Sequence, residues 1–210
     1  MTEIETRRLL VALAASLYAR GYSVGSAGNI SVRLADGYLI TPTNSSLGRL
    51  DPTLLSKLDA DFHHVSGDPP SKEVFMHRAF YTARTDAGAV VHLHSTMATA
   101  VTCLPGLDMI NPIPPLTPYF VMRVGRRLPI VPYYRPGNPQ MEPAIHNAAR
   151  GARAVLLANH GPVVCAKTLT DAVYAAEELE EAAKLFMALR DVAPRVLTPA
   201  QVDDLVATFG

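Results

Sequence analysis

Charge asymmetry is the first thing this sequence lacks. Lys+Arg and Asp+Glu number 19 each in 210 residues, so the formal net charge is zero. No basic field is present to recruit nucleic acid or an anionic membrane surface. A net charge near zero also permits self-association. Cysteine is scarce: Cys103 and Cys165 stand far apart and make no Cys-x-x-Cys pair. That pattern predicts two reduced thiols and a cytoplasmic setting. No apolar run approaches the ~18 residues that would read as a transmembrane helix. The start (Glu3, Glu5, Arg7, Arg8) is charged and lacks the order of a secretory signal. There is no internal repeat, low-complexity tract or linker, which predicts one domain over residues 1–210.

The chain does have core-forming material, with 49% hydrophobic and 18% charged residues. Periodicity predicts a first helix from Thr6 to Arg20, with Leu10, Leu13 and Leu17 on one face. Ile30–Val32 and Tyr38–Ile40 read as a hairpin around Ala35-Asp36-Gly37. A second helix is expected from Ser71, carrying Phe75, Met76, Ala79 and Ala83 inward. Val90–His94 reads as a strand, followed by a small-residue helix to Thr102. Five prolines between 105 and 119 exclude a regular helix or a central strand there. Ile130–Pro132, Ala154–Leu157 and Val163–Ala166 read as strands, with a helix over Met141–Arg150. The last long helix runs from Asp171 to Leu189 behind a Thr168/Asp171 cap, with Glu177, Glu178, Glu180 and Glu181 on its wet face. Together these elements imply a mixed or antiparallel sheet covered by helices.

Two contexts carry chemistry. His92 and His94 sit at i and i+2 of a predicted strand, so both rings share a face. A third imidazole, His160 in Asn159-His160-Gly161, would complete three protein ligands. Three ligands with an open position suit a catalytic zinc site. The alternative for a lone His-x-His is two histidines packed on a half-buried sheet. Gly25-Ser26-Ala27-Gly28-Asn29 offers a small anion nest or simply a Gly-rich turn. Thr43, Asn44 and their neighbours supply short donors or a capped turn. Ser71, Lys72 and Glu73 sit at a helix start, where an anion or an ordinary N-cap is equally at home. Tyr119 is a core or interface residue or a general acid. His63, His64, His77 and His146 read as exposed or satisfied histidines, and neither Ser95 nor Cys165 has a nucleophile's setting.

In combination, Gly28-Asn29-Ile30-Ser31, Thr41-Pro42-Thr43, Ser71-Lys72-Glu73, His92-Leu93-His94 and Asn159-His160-Gly161 resemble the class II aldolase/adducin family in order and spacing, across residues 8 to 190. The resemblance implies a three-layer α/β/α fold with a central, largely antiparallel sheet and a homotetramer with active sites between subunits. It implies Zn2+, or another divalent metal, on His92, His94 and His160. Glu73 would be the acid/base and a possible ligand when substrate is absent. Gly28, Asn29, Thr43, Asn44, Ser71 and Lys72 would line a phosphate pocket, and Tyr119 would be a proton donor from a neighbouring subunit. Within the family the chain is similar to the 3-oxo-tetronate 4-phosphate decarboxylases through Thr43-Asn44-Ser45-Ser46-Leu47-Gly48, Gly67-Asp68-Pro69-Pro70-Ser71-Lys72-Glu73 and Leu116-Thr117-Pro118-Tyr119. The sugar-phosphate aldolases carry Gly in place of Asn44 and Ser in place of Lys72. The implied reaction is loss of CO2 from a phosphorylated sugar acid through an enediolate, giving dihydroxyacetone phosphate. A sugar-phosphate aldolase or epimerase, and a non-catalytic adducin-like interaction domain, are the alternatives.

Overall fold

A computed structural model describes residues 1–209. In chain order the elements are α1 (Glu3–Ala19), β1 (Asn29–Leu34), β2 (Gly37–Ile40), β3 (Ser56–Leu58), β4 (His64–Ser66), α2 (Val74–Ala83), β5 (Ala89–His92), α3 (Thr96–Thr102), α4 (Pro118–Arg123), β6 (Ile130–Val131), α5 (Glu142–Ala149), β7 (Ala154–Leu157), β8 (Gly161–Ala166), α6 (Leu169–Leu189) and α7 (Pro199–Phe209). The strands form one sheet in the order β4-β3-β2-β1-β5-β8-β7-β6. Every pairing is antiparallel except β6 with β7. The expected α/β/α sandwich with a largely antiparallel sheet is the one observed.

Alternation along the central strands sends side chains into two separate cores. Ile30, Val32, Ala89, Val91 and Leu93 pack with Leu10 and Leu17 of α1, Val101 of α3, Phe120 of α4 and Val173 and Leu179 of α6. Val90, Val155, Leu157 and Val163 point the other way, onto Met76 and Phe80 of α2 and Ile145 of α5. Full burial of each such side chain contributes roughly 1.5–3 kcal/mol. A bidentate Arg78–Glu142 pair, with both contacts at 2.6 Å, ties α2 to α5 on the second face. Among the described residues no helix is long and apolar enough to cross a membrane.

Several boundaries differ from the sequence expectation for local reasons. α1 begins at Glu3 because Thr2 and Glu5 form a reciprocal capping box. α2 begins at Val74, with Glu73 itself at the N-cap; the Ser71 hydroxyl, two residues earlier, accepts from the Glu73 amide. The Pro-rich stretch ends in a short helix, since Pro118 occupies the first turn behind the Thr117 cap, where a missing N–H costs nothing. Strands β3 and β4 and helix α7 were not anticipated. The largest departure is Glu180. It is not on the wet face: it is 4% exposed and accepts from the amides of Met97 and Ala98 at 2.9 and 2.8 Å. A carboxylate from α6 thus caps the first turn of α3, where unpaired N–H groups favour negative charge.

Candidate active site

Register brings the site together at one end of the sheet. Antiparallel pairing sets Asn29, the first residue of β1, opposite His92, the last of β5. His92 in turn faces Val163 near the start of β8. His160 lies in the tight turn between β7 and β8. Asn159 holds a left-handed φ of 56° there, and Gly161 has φ 153°. A Cβ on Gly161 would sit 2.3 Å from the Leu93 carbonyl oxygen, so only glycine lets this turn close on the segment between the two other histidines. Gly28 plays the same part on the opposite side, where a Cβ would lie 2.8 Å from the His92 carbonyl oxygen.

The three imidazoles converge. Nε2 of His94 is 3.1 Å from Nε2 of His92 and 3.0 Å from Nε2 of His160. A tetrahedral ion with ligands at about 2.0–2.1 Å would have ligand–ligand edges of about 3.3 Å. The donor set therefore fits a single divalent cation. His92 Nδ1–H donates to the Pro162 carbonyl at 2.9 Å, which turns the lone pair of Nε2 inward. Burial holds all three rings below the ordinary imidazole range, and the mutual proximity of the rings depresses His92 and His94 further. Neutral rings are what a cation requires. Although His94 lies two residues past His92 and beyond the end of β5, the same-face expectation from the sequence holds.

Glu73 stands beside this centre. Its carboxylate oxygens lie 3.7 Å from Nε2 of His92 and 3.7 Å from Nε2 of His160, and Oε2 accepts from Asn29 Nδ2 at 2.8 Å. The polar loops are fastened to each other by backbone bonds. Thr43 N donates to Pro69 O and Ser71 N to Thr41 O. This pairing gathers Gly28, Asn29, Thr43, Asn44, Ser71, Lys72, Glu73 and His94 around one cleft of about 220 Å³. Asn44 has φ 57°, a conformation in which Asn and Gly are the favoured residues. Pro136 and Gly137 also line the cleft and were not expected from the sequence; the Pro-Gly turn was the available signal.

Other candidates fall away from the centre. Tyr119 is 60% exposed on α4 and does not line this cleft. His63 and His64 are exposed. Ser95 is buried, and burial pushes the Cys165 thiol up to about 12, which disfavours the thiolate. His77 is a satisfied histidine, buried and hydrogen-bonded to Asn29 Oδ1 at 2.5 Å.

The same motifs that meet in space carry a family match. The family model described as Class II Aldolase and Adducin N-terminal domain matches residues 8–187. This chain belongs to the class II aldolase/adducin family. Among its relatives, it is 50% identical over 206 residues to the 3-oxo-tetronate 4-phosphate decarboxylase of Haemophilus influenzae, covering 98% of each chain. It is 34% identical to an L-fuculose phosphate aldolase of Escherichia coli, covering 90% of this chain and 86% of that one. The crystal structure of YgbL from Escherichia coli superposes with a TM-score of 0.93 at 49% identity, covering 97% of this chain and 98% of that one. The layered architecture described above is therefore shared with that structure.

Proposed function

We propose that this chain is a zinc-dependent carboxy-lyase. Its substrate is a 3-oxo-tetronate 4-phosphate, and its products are dihydroxyacetone phosphate and CO2. The observation that carries this reading is the convergence of His92, His94, His160 and Glu73 on the edge of a phosphate-sized polar cleft, in a chain half identical over its length to a decarboxylase of that name. Zinc, or another divalent cation, on the three imidazoles would act as a Lewis acid toward the substrate's C3 carbonyl oxygen.

The protein's own residues supply the rest. Asn29, Thr43 and Ser71 hold the phosphate, with Asn44 and Lys72 beside them. Those contacts are remote from the breaking bond and serve to position the carboxylate for departure. The electron pair of the C1–C2 bond moves toward the C3 oxygen as CO2 leaves. A proton then returns to C2, from Glu73 or from Tyr119 of a neighbouring subunit. A homotetramer with sites between subunits would bring that tyrosine in, and the enzyme would work in sugar-acid breakdown in the cytoplasm.

The aldolase alternative draws on the likeness to L-fuculose phosphate aldolase. Asn44 and Lys72 weigh against it, because a substrate with two anionic ends gains from an added cation beside the cleft. The non-catalytic alternative is disfavoured by the presence of all four centre residues in converging geometry. The deciding experiment incubates purified protein with candidate 3-oxo-tetronate 4-phosphates and follows CO2, aldehyde and triose phosphate separately. CO2 with triose phosphate is expected. Glu73→Gln should lower turnover by roughly 10²–10⁴-fold with metal retained. Aldehyde without CO2 from the best substrate moves the assignment to an aldolase.

A further inference from the structure

Behind Glu73 runs a zigzag of buried polar side chains, of which only Asn29 enters a step above. Helix α2 and its cap present Glu73, His77 and Tyr81 at four-residue spacing, hence on one face. Strand β1 presents Asn29 and Ser31 at two-residue spacing, also on one face. The two faces interleave. Asn29 Nδ2 donates to Glu73 Oε2 at 2.8 Å, His77 Nε2 meets Asn29 Oδ1 at 2.5 Å, Ser31 Oγ meets His77 Nδ1 at 2.7 Å, and Tyr81 OH meets Ser31 Oγ at 2.9 Å.

The proton on each of these atoms follows from the first contact. A carboxylate only accepts, so the Asn29 amide must turn its NH2 to Glu73 and its oxygen to His77. That oxygen needs a donor, so His77 carries its proton on Nε2 and leaves Nδ1 bare. Ser31 must then donate to Nδ1, and Tyr81 must donate to Ser31. Ser31, His77 and Tyr81 are 2%, 1% and 3% exposed, so water does not offer alternative partners. Burial also lowers His77 to about 3, which keeps it a neutral ring with one N–H. The second N–H of Asn29 stays available to a ligand in the cleft that Asn29 lines.

We propose that His77 is a positioning residue: its Nε2–H locks the Asn29 carboxamide in the orientation that presents one N–H to Glu73, while Ser31 and Tyr81 lock His77 in the required tautomer. The inference rests on Glu73 as the proton-handling group of the function proposed above. Without His77 the amide is free to turn its oxygen toward the carboxylate, which repels Glu73 from its place near the two Nε2 atoms.

Two measurements on the metal-loaded protein test this. The first is a double-mutant cycle with His77→Met and Asn29→Ala, read as kcat/KM. His77→Met alone should cost on the order of 10²-fold, the scale of a small misplacement of a reacting group, with metal content unchanged. In the Asn29→Ala background the same change should cost less than about twofold, since its target is already gone. Losses that simply multiply would overturn the proposal. His77→Gln keeps a donor and an acceptor in similar places and should recover most of the turnover; a variant as folded as the parent yet as slow as His77→Met would also overturn it. The second measurement needs no substrate. Nitrogen-15 NMR of histidine-labelled protein should find His77 protonated at Nε2 and bare at Nδ1, and the opposite tautomer sinks the relay. If the unaltered protein releases no CO2 from any oxo-tetronate phosphate, the functional assignment falls alone, because the tautomer still decides this one.

Discussion

Asn29 and His92 face each other across the β1–β5 pair. This pairing joins the polar cleft to the three-histidine cluster. It also makes the site a property of strand register. A slip of one residue would turn Asn29 and Ser31 to the opposite face, toward the core packed on α1, and leave the His92 side without a partner. The apolar alternation of Ile30 and Val32 against Val91 and Ala89 therefore fixes the geometry of the candidate site as well as packing.

The three-histidine centre predicts a shared fate for its members. His92→Ala, His94→Ala or His160→Ala should each abolish retention of a stoichiometric divalent ion through dialysis, as read by elemental analysis, and activity should fall with it. Stripping the unaltered protein with a chelator should abolish turnover, and adding zinc back should restore it. Full metal retention in any of the three alanine variants would remove that residue from the ligand set.

Buried neutral histidines also predict acid sensitivity. His77 is held at about 3 in the folded chain by burial, against an ordinary value of 6.5. Its folded value is the depressed one, so the unfolded chain takes up the proton first. The stability it allows is present above pH 6.5 and is lost as pH falls from there toward 3, at up to ~1.4 kcal/mol per pH unit. His92, His94 and His160 shift in the same direction. Metal-free protein should therefore melt at markedly lower temperature at pH 5.5 than at pH 7.5. His77→Gln should flatten part of that dependence, and an unchanged slope in that variant would show that His77 does not contribute.

Glu180 gives a prediction about stability. Its carboxylate satisfies two amides at the start of α3, directly after the His94-Ser95 junction. Glu180→Ala strands two buried donors and should cost ~1–3 kcal/mol, lowering Tm by roughly 2–12 °C in a chain of this size. Glu180→Gln keeps one acceptor and should fall between. A Tm for Glu180→Ala within about 1 °C of the parent would mean that water replaces the carboxylate.

Glu180 and His77 show where sequence reading stopped. The convergence of His92, His94 and His160 was legible because side chains two residues apart along an extended segment share a face and a glycine closes a tight turn, and both are local rules. Helices α1 and α6 were legible because three and more turns of periodic leucine, valine and alanine outweigh any single residue. Glu180 was misplaced because its acidic neighbours suggested solvent, while its partners, the amides of α3, lie 82 and 83 residues away in sequence. Its position four residues after Ala176 and seven after Val173 put it on the buried stripe, and that was the signal to follow. His77 carried a similar signal, four residues from both Glu73 and Tyr81. Strands β3 and β4 span three residues each and exist through pairing, so neither has a periodicity of its own.

Tyr119 carries the last prediction. It sits near the start of α4, just past Pro118, with its ring 60% exposed and no place in the cleft of its own chain. A tyrosine that serves the reaction from there must reach a second copy of the chain. Tyr119→Phe keeps the ring and removes only the hydroxyl, so folding and metal content should be unchanged. Triose phosphate formation should slow while CO2 release is less affected, and an unprotonated intermediate should drain into side products. Mixing Tyr119→Phe with Glu73→Gln supplies the geometric test. Hybrid oligomers of these two impaired parents should form triose phosphate faster than either parent if some sites combine an intact Glu73 from one chain with an intact Tyr119 from the next. No recovery in hybrids whose mixed composition is verified, together with normal product formation by Tyr119→Phe alone, would assign this ring to packing between subunits and leave Glu73 as the proton donor.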